Sequence, residues 1–238
     1  MRILKGIKFI IFSIISLVGI FVVTFIFAAL IGSIQERFLP QDYIIWIFKF
    51  PLRNLLFIYE IYFAVLFFYF LDKGFKESVL LRLKNRLLKK NKQLILSAFA
   101  IVNIFLLYAL LFNMTAITNN KIIDYTFLSP KGNQYSFKDI VKIETGVYGR
   151  KSIIPFSHYL KGDFFYIIQL NDGTKIHLTD VGGTINDKDE YSIIEKFDSQ
   201  LVNMDIPKVS SMDNFQFCTK HLDKRYTDKI RNIIVNSK

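Results

Sequence analysis

FIIFSIISLVGIFVVTFIFAALI, residues 9–31, carries no charged side chain, and the uncharged run continues to Gln35. A helix rises about 1.5 Å per residue, so roughly 20 apolar residues cross a hydrocarbon core of about 30 Å. The run therefore predicts a membrane-spanning helix. Arg2, Lys5 and Lys8 ahead of it resemble the basic start of a secretory signal. The apolar core of a cleaved signal, however, runs to only about 7–15 residues, so an uncleaved anchor is expected.

Two further apolar runs follow, residues 54–71 (NLLFIYEIYFAVLFFYFL) and 94–112 (LILSAFAIVNIFLLYALLF), and both predict spans. Between the first two runs, residues 43–50 carry Trp46 and Lys49 and then meet Pro51. Trp and Lys settle at the headgroup level, so this stretch predicts an interfacial segment. After Thr118 the pattern changes to ordinary alternation. The expected organisation is a three-helix transmembrane region over 1–118 and a soluble domain over 119–238.

Charge follows the same division. Of 238 residues, 31 are Lys or Arg and 20 are Asp or Glu. Residues 1–118 hold 14 of the cations against 5 carboxylates, a surplus of nine, while the remainder is nearly balanced. A basic total points to nucleic acid when it forms a patch on a soluble domain. Here it flanks apolar runs, which is the signature of membrane orientation, and no nucleic-acid partner is expected. Eleven cations fall at the N-terminus and in the stretch from Lys73 to Lys92, against Arg37, Lys49 and Arg53 between the first two runs. The positive-inside rule puts the eleven in the cytoplasm, and three crossings then carry the C-terminal domain outside. The excess of Ile, Lys, Asn and Phe suggests a low-GC bacterium.

Within 119–238, FFYIIQL (164–170), Asn171-Asp172-Gly173 and TKIHLT (174–179) predict a β-hairpin, because Asp-Gly supplies the positive φ of a tight turn. Residues 122–128 and 139–148 predict strands, the first closed by the turn cluster Ser129-Pro130-Lys131-Gly132. Tyr191, Ile194, Phe197 and Leu201 recur at helical spacing behind Asp187 and Glu190, and Leu222, Tyr226, Ile230, Ile233 and Ile234 recur over 219–235. The fold class expected is thus a membrane α-helical protein with a small α+β soluble domain, an antiparallel sheet and two helices, able to fold alone. The phrase Phe137-Lys138-Asp139-Ile140, a strand, the Asp-Gly hairpin and a helix resemble the pleckstrin-homology-like modules attached to bacterial membrane spans. That likeness covers about residues 120–205, has fewer strands than a seven-stranded module and one helix more. It implies binding or scaffolding.

The candidate sites are few. Glu60 inside the second apolar run costs a few kcal/mol on insertion scales, and such carboxylates face a protein interior or a water-filled path. Its alternative place is at the outer boundary beside Tyr59 and Tyr62. Asn103 in the third run is suited to hydrogen-bonding between helices. Lys73, Lys76, Arg82, Arg86, Lys89 and Lys90, with Val79, Leu80, Leu83, Leu87 and Leu88 among them, predict a basic amphipathic helix on anionic lipid headgroups. His158, His177 and His221 lack metal-ligand spacing, Cys218 is expected to be buried, and Gly182-Gly183 reads as a loop. The carboxylates from Asp180 to Glu195 read as a solvated helix start. No cofactor or metal is expected, and no catalytic constellation is present in the sequence. The expectation is a non-enzymatic bacterial membrane protein with an extracytoplasmic binding or sensing domain, of accessory or immunity type, with a protein partner or a second copy. The alternative is a transporter or channel subunit using Glu60.

Overall fold

The computed structural model describes residues 2–50, 52–83, 90–150, 159–220 and 222–236. It divides into two compact units, Met1–Arg37 with Asn54–Leu111, and Phe38–Arg53 with Phe112–Lys238.

The first unit is helical: α1 (Arg2–Glu36), α2 (Leu56–Leu71), α3 (Lys73–Leu83) and α4 (Lys92–Leu111). Among the described residues, two helices are long and apolar enough to cross a membrane, Ile14–Glu36 within α1 and Lys92–Leu111. This corrects the expectation of three spans. Helix α2 holds 16 residues, about 24 Å at 1.5 Å each, which falls short of the hydrocarbon thickness. Its limits are local. A 3-10 turn, Leu52–Leu55, precedes it, and Asp72 leaves helical geometry at its end (φ −107°, ψ 109°). The Asp72 carboxylate then accepts the Phe75 N–H at 2.8 Å and so starts α3.

Close approach holds α1 to α2. A Cβ on Gly19 would stand 2.5 Å from the Phe67 ring, so the glycine lets that ring approach the α1 backbone. Phe27 packs on Tyr59 and Phe63 with ring centres 4.7 and 5.8 Å away. Near its end α1 is tied to α4, where the buried Gln35 donates Nε2 to the Leu110 carbonyl at 2.8 Å.

Among the described residues, the second unit contains nine strands in two sheets, three helices and two 3-10 turns. The strands are β1 (Tyr43–Phe48), β2 (Met114–Thr118), β3 (Lys121–Thr126), β4 (Ser129–Ser136), β5 (Ile140–Val147), β6 (Phe164–Leu170), β7 (Lys175–His177), β8 (Val181–Thr184) and β9 (Lys208–Ser210). The helices are α5 (Glu190–Asn203), α6 (Phe215–Cys218) and α7 (Lys224–Val235). One sheet runs β4-β3-β2-β1-β8 and the other β7-β6-β5-β9. The expectation of a single antiparallel sheet with two helices is therefore also corrected: there are two sheets, β9 pairs parallel with β5, and three helices accompany them.

Strand β1 changes the picture most. It comes from the stretch expected at the membrane interface, yet it lies between β2 and β8, with Phe48 opposite Met114 and Trp46 opposite both Ala116 and Gly183. A central strand covered on both faces reads as a continuous apolar run, the same pattern that flanks a span. Ile45 and Ile47 face the main core with Ile117, Ile143, Ile168, Phe197, Ile230 and others. Trp46 faces the opposite side with Met114, Ala116, Ile123 and Tyr125. Lys49, expected at lipid headgroups, instead donates to both oxygens of Asp124 at 2.8 and 2.9 Å.

Strand β8 replaces the loop expected at Gly182-Gly183. A Cβ on Gly182 would lie 2.3–2.5 Å from the Trp46 ring, so the glycine makes room for that indole and β8 closes the sheet edge. The hairpin expected at 164–179 forms, with Ile168 opposite Ile176 and Gly173 at φ +86°. Helix α5 buries Ile194, Phe197 and Leu201 as its spacing predicts, but its N-cap is Asp189, which accepts the Ser192 N–H at 2.8 Å. The last helix begins at Lys224 rather than near Thr219, because Asp223 caps it by accepting the Arg225 N–H.

Candidate functional site

A cleft of about 530 Å³ opens in the second unit where the end of β5, the start of β6, the turn into β8 and the first turn of α5 converge. The β5–β6 ladder fixes one wall. Tyr148 follows β5 and donates its N–H to the Asp163 carbonyl at 3.0 Å. Gly162, at φ +96°, returns its N–H to the Tyr148 carbonyl at 2.8 Å. The Asp163 carboxylate closes the same turn by accepting the Leu160 N–H at 2.6 Å.

That turn sets two aromatic rings face to face. Tyr148 and Tyr159 stack with centres 3.8 Å apart and planes 11° from parallel, and Phe165 supports Tyr148 from 4.6 Å. The opposite wall comes from the first turn of α5, where Glu190 and Tyr191 line the cleft. Tyr191 leans on Phe164 and Tyr226. The floor is the turn Thr179-Asp180-Val181, whose Asp180 carbonyl accepts the Phe48 N–H of β1 at 3.0 Å.

Electrostatics in the cleft are one-sided. Asp163, Asp180 and Glu190 supply three carboxyl groups. Lys161 also lines the cleft, but its ammonium sits 3.6 Å over the Phe217 ring. Burial, reinforced by Asp189 next door, raises the Glu190 carboxyl above its ordinary range. Burial first, then Tyr159, pushes the Tyr148 hydroxyl up to about 12. Tyr191 is pushed to about 12 by burial and then by Glu190. Both phenols therefore stay neutral across the physiological range. Among the described residues, no three His, Cys, Asp or Glu side chains are grouped so as to hold a metal ion.

The residues singled out in the sequence lie elsewhere. Glu60 is half-buried on α2. Asn103 is on α4 and donates Nδ2 to the Phe99 carbonyl of its own helix at 2.8 Å. The link between those helices runs through Tyr59, whose hydroxyl reaches the Asn103 carbonyl at 3.4 Å. Lys73, Lys76 and Arg82 are exposed on α3, and Lys90 is exposed beyond it. At 100° per residue, Lys73 and Lys76 fall on either side of Leu80, and Arg82 falls beside Phe75. The described part of the basic stretch therefore has no separate apolar face. Arg86 and Lys89, with Lys84, Leu87, Leu88, His158 and His221, lie outside the described residues.

His177 is on β7, half-buried, its imidazole lowered by burial and then by Lys175. Cys218 is fully buried in α6. The sequence reading missed Glu190 and the tyrosines as a group. Asp189 and Glu190 read as a solvated helix start, and only the β8-to-α5 turn brings that start against the end of β5. No protein-family model, no curated protein and no solved structure matches the chain.

Proposed function

We propose that this chain is a non-enzymatic membrane protein whose folded unit lies outside the cytoplasm and binds its ligand in the Tyr148–Glu190 cleft. The observation that carries the proposal is the cleft itself: a concavity of about 530 Å³ with aromatic walls and a few convergent polar groups, the usual form of a small-ligand site. The likeness to pleckstrin-homology-like modules belongs to the same proposal, since it too implies binding or scaffolding.

Charge distribution supports the sidedness. Both α1 and α4 carry their positive charge at or ahead of their N-terminal ends, so in this reading both enter the membrane from the cytoplasm and the chain returns between them through the segment that holds α2 and α3. In the sequence, Arg2, Lys5 and Lys8 fall at the start of α1, and the cations from Lys73 to Lys92 precede the apolar run of α4. Positive charge favours the cytoplasmic face, where the basic stretch meets anionic headgroups.

A second reading, a transporter or channel subunit, is favoured by Glu60. This half-buried carboxylate in an apolar helix makes no hydrogen bond or ion pair among the described residues. Complementation of a deletion strain separates the two. Thr179→Trp, which fills the cleft, abolishes function in the binding reading, while Glu60→Gln retains it. The opposite pair of results favours transport.

A further inference from the structure

We infer that the cleft recognises an alkylammonium group, a cationic amine carried on an apolar stem. This rests on the cleft being the binding site. The inference stands on three features that a neutral or anionic ligand leaves unused. First, the walls are phenol rings, Tyr148 and Tyr159 on one side and Tyr191 on the other. Aromatic faces attract cations through the ring quadrupole, more strongly as water is excluded. Second, Glu190 lines the cleft half-buried with no hydrogen bond or cation at its carboxylate among the described residues. A carboxylate in such a place is expensive unless something positive arrives. Third, Lys161, the lysine that lines the cleft, is held over Phe217 and so does not fill that role.

The wall chemistry also sorts the cations. A metal ion needs several hard ligands within about 2–2.6 Å, and the His, Cys, Asp and Glu side chains described form no such group. A long apolar-stemmed amine instead lays its methylenes along the tyrosines and its ammonium toward Glu190 and Asp163. Lysine side chains and free primary amines share this chemistry.

The test uses the full chain in lipid nanodiscs and isothermal titration with three matched probes. These are acetyl-lysine methylamide, acetyl-norleucine methylamide and acetyl-glutamate methylamide. The lysine probe is expected to bind about tenfold or more tightly than the norleucine probe, the size of one charge-assisted contact. Glu190→Gln, which keeps the shape and removes the charge, is expected to erase most of that preference, and Tyr148→Leu to weaken the lysine probe further. Equal affinity for lysine and norleucine, or a preference for the glutamate probe, overturns the cation assignment and leaves the binding site standing. Silence from all three probes, with the melting transition of the chain intact, overturns both.

Discussion

The ammonium of Lys208 and the carboxylate of Asp198 stand 2.6 Å apart inside the folded unit, their side chains 3% and 0% exposed. The pair is fully served by neighbours. Lys208 also donates to the carbonyls of Ile233 and Asn236. Asp198 also accepts from the Tyr166 hydroxyl at 2.9 Å and the Asn236 amide at 2.7 Å. One network thus joins β9, α5, β6 and the end of α7. Breaking a buried pair by removing one partner leaves a charge without compensation, which costs about 3–5 kcal/mol. Lys208→Met should lower stability by that amount in chemical denaturation. Adding Asp198→Leu should recover part of the loss, whereas an exposed pair would show neither effect.

Strand β1 makes the folded unit depend on the segment between α1 and α2. A fragment of residues 112–238 lacks the strand between β2 and β8, and so leaves two unpaired edges and an open core. Residues 119–238 lack β2 as well, so they are not expected to fold alone. The fragment should show no cooperative melting transition, and residues 38–50 joined to it by a flexible linker should restore one.

The Trp46 indole constrains Gly182, the neighbour of its partner Gly183 on β8. Gly182→Ala would drive a methyl group into the ring, and overpacking of this kind costs about 1–3 kcal/mol. The double variant Gly182→Ala, Trp46→Leu should be less than additive, because the smaller side chain removes the clash. Strict additivity in denaturation midpoints would show that the two positions do not meet.

Glu190 gives a pH dependence with a definite sign. Its folded-state pKa is raised by burial, so the folded state binds a proton more readily than the unfolded chain. This group's contribution therefore favours folding at low pH and is lost as pH rises through the raised value. Glu190→Gln should stabilise the chain at neutral pH, and the difference should shrink as the solution is acidified below pH 4.5. A variant less stable than wild type at neutral pH would mean the carboxylate is supported by contacts rather than burdened by burial.

What could be read from the sequence was what is local. The long apolar runs give α1 and α4, the Asp-Gly turn gives the β6–β7 hairpin, and the 3.6-residue period gives the buried face of α5. Elements fixed by distant partners were not legible. Tyr43–Phe48 looks the same as a membrane flank because it is apolar on both faces and its strand partners lie more than 60 positions away. Gly182 makes sense only against Trp46, and Lys208 only against Asp198. The second apolar run failed as a span for a local reason that composition hides: Asp72 ends one helix and begins another. The cleft escaped notice because its two walls are separated by some 40 residues and neither carries a motif.

The most direct test of the account is the sidedness of the folded unit. Leu128, at the β3–β4 turn, is 89% exposed, and the single native cysteine, Cys218, is fully buried and silent to labelling. In intact bacterial cells, a membrane-impermeant maleimide should label Leu128→Cys at once and Lys76→Cys only after lysis. Labelling of Lys76→Cys in intact cells, with Leu128→Cys protected until the cells are opened, would contradict an extracytoplasmic binding unit.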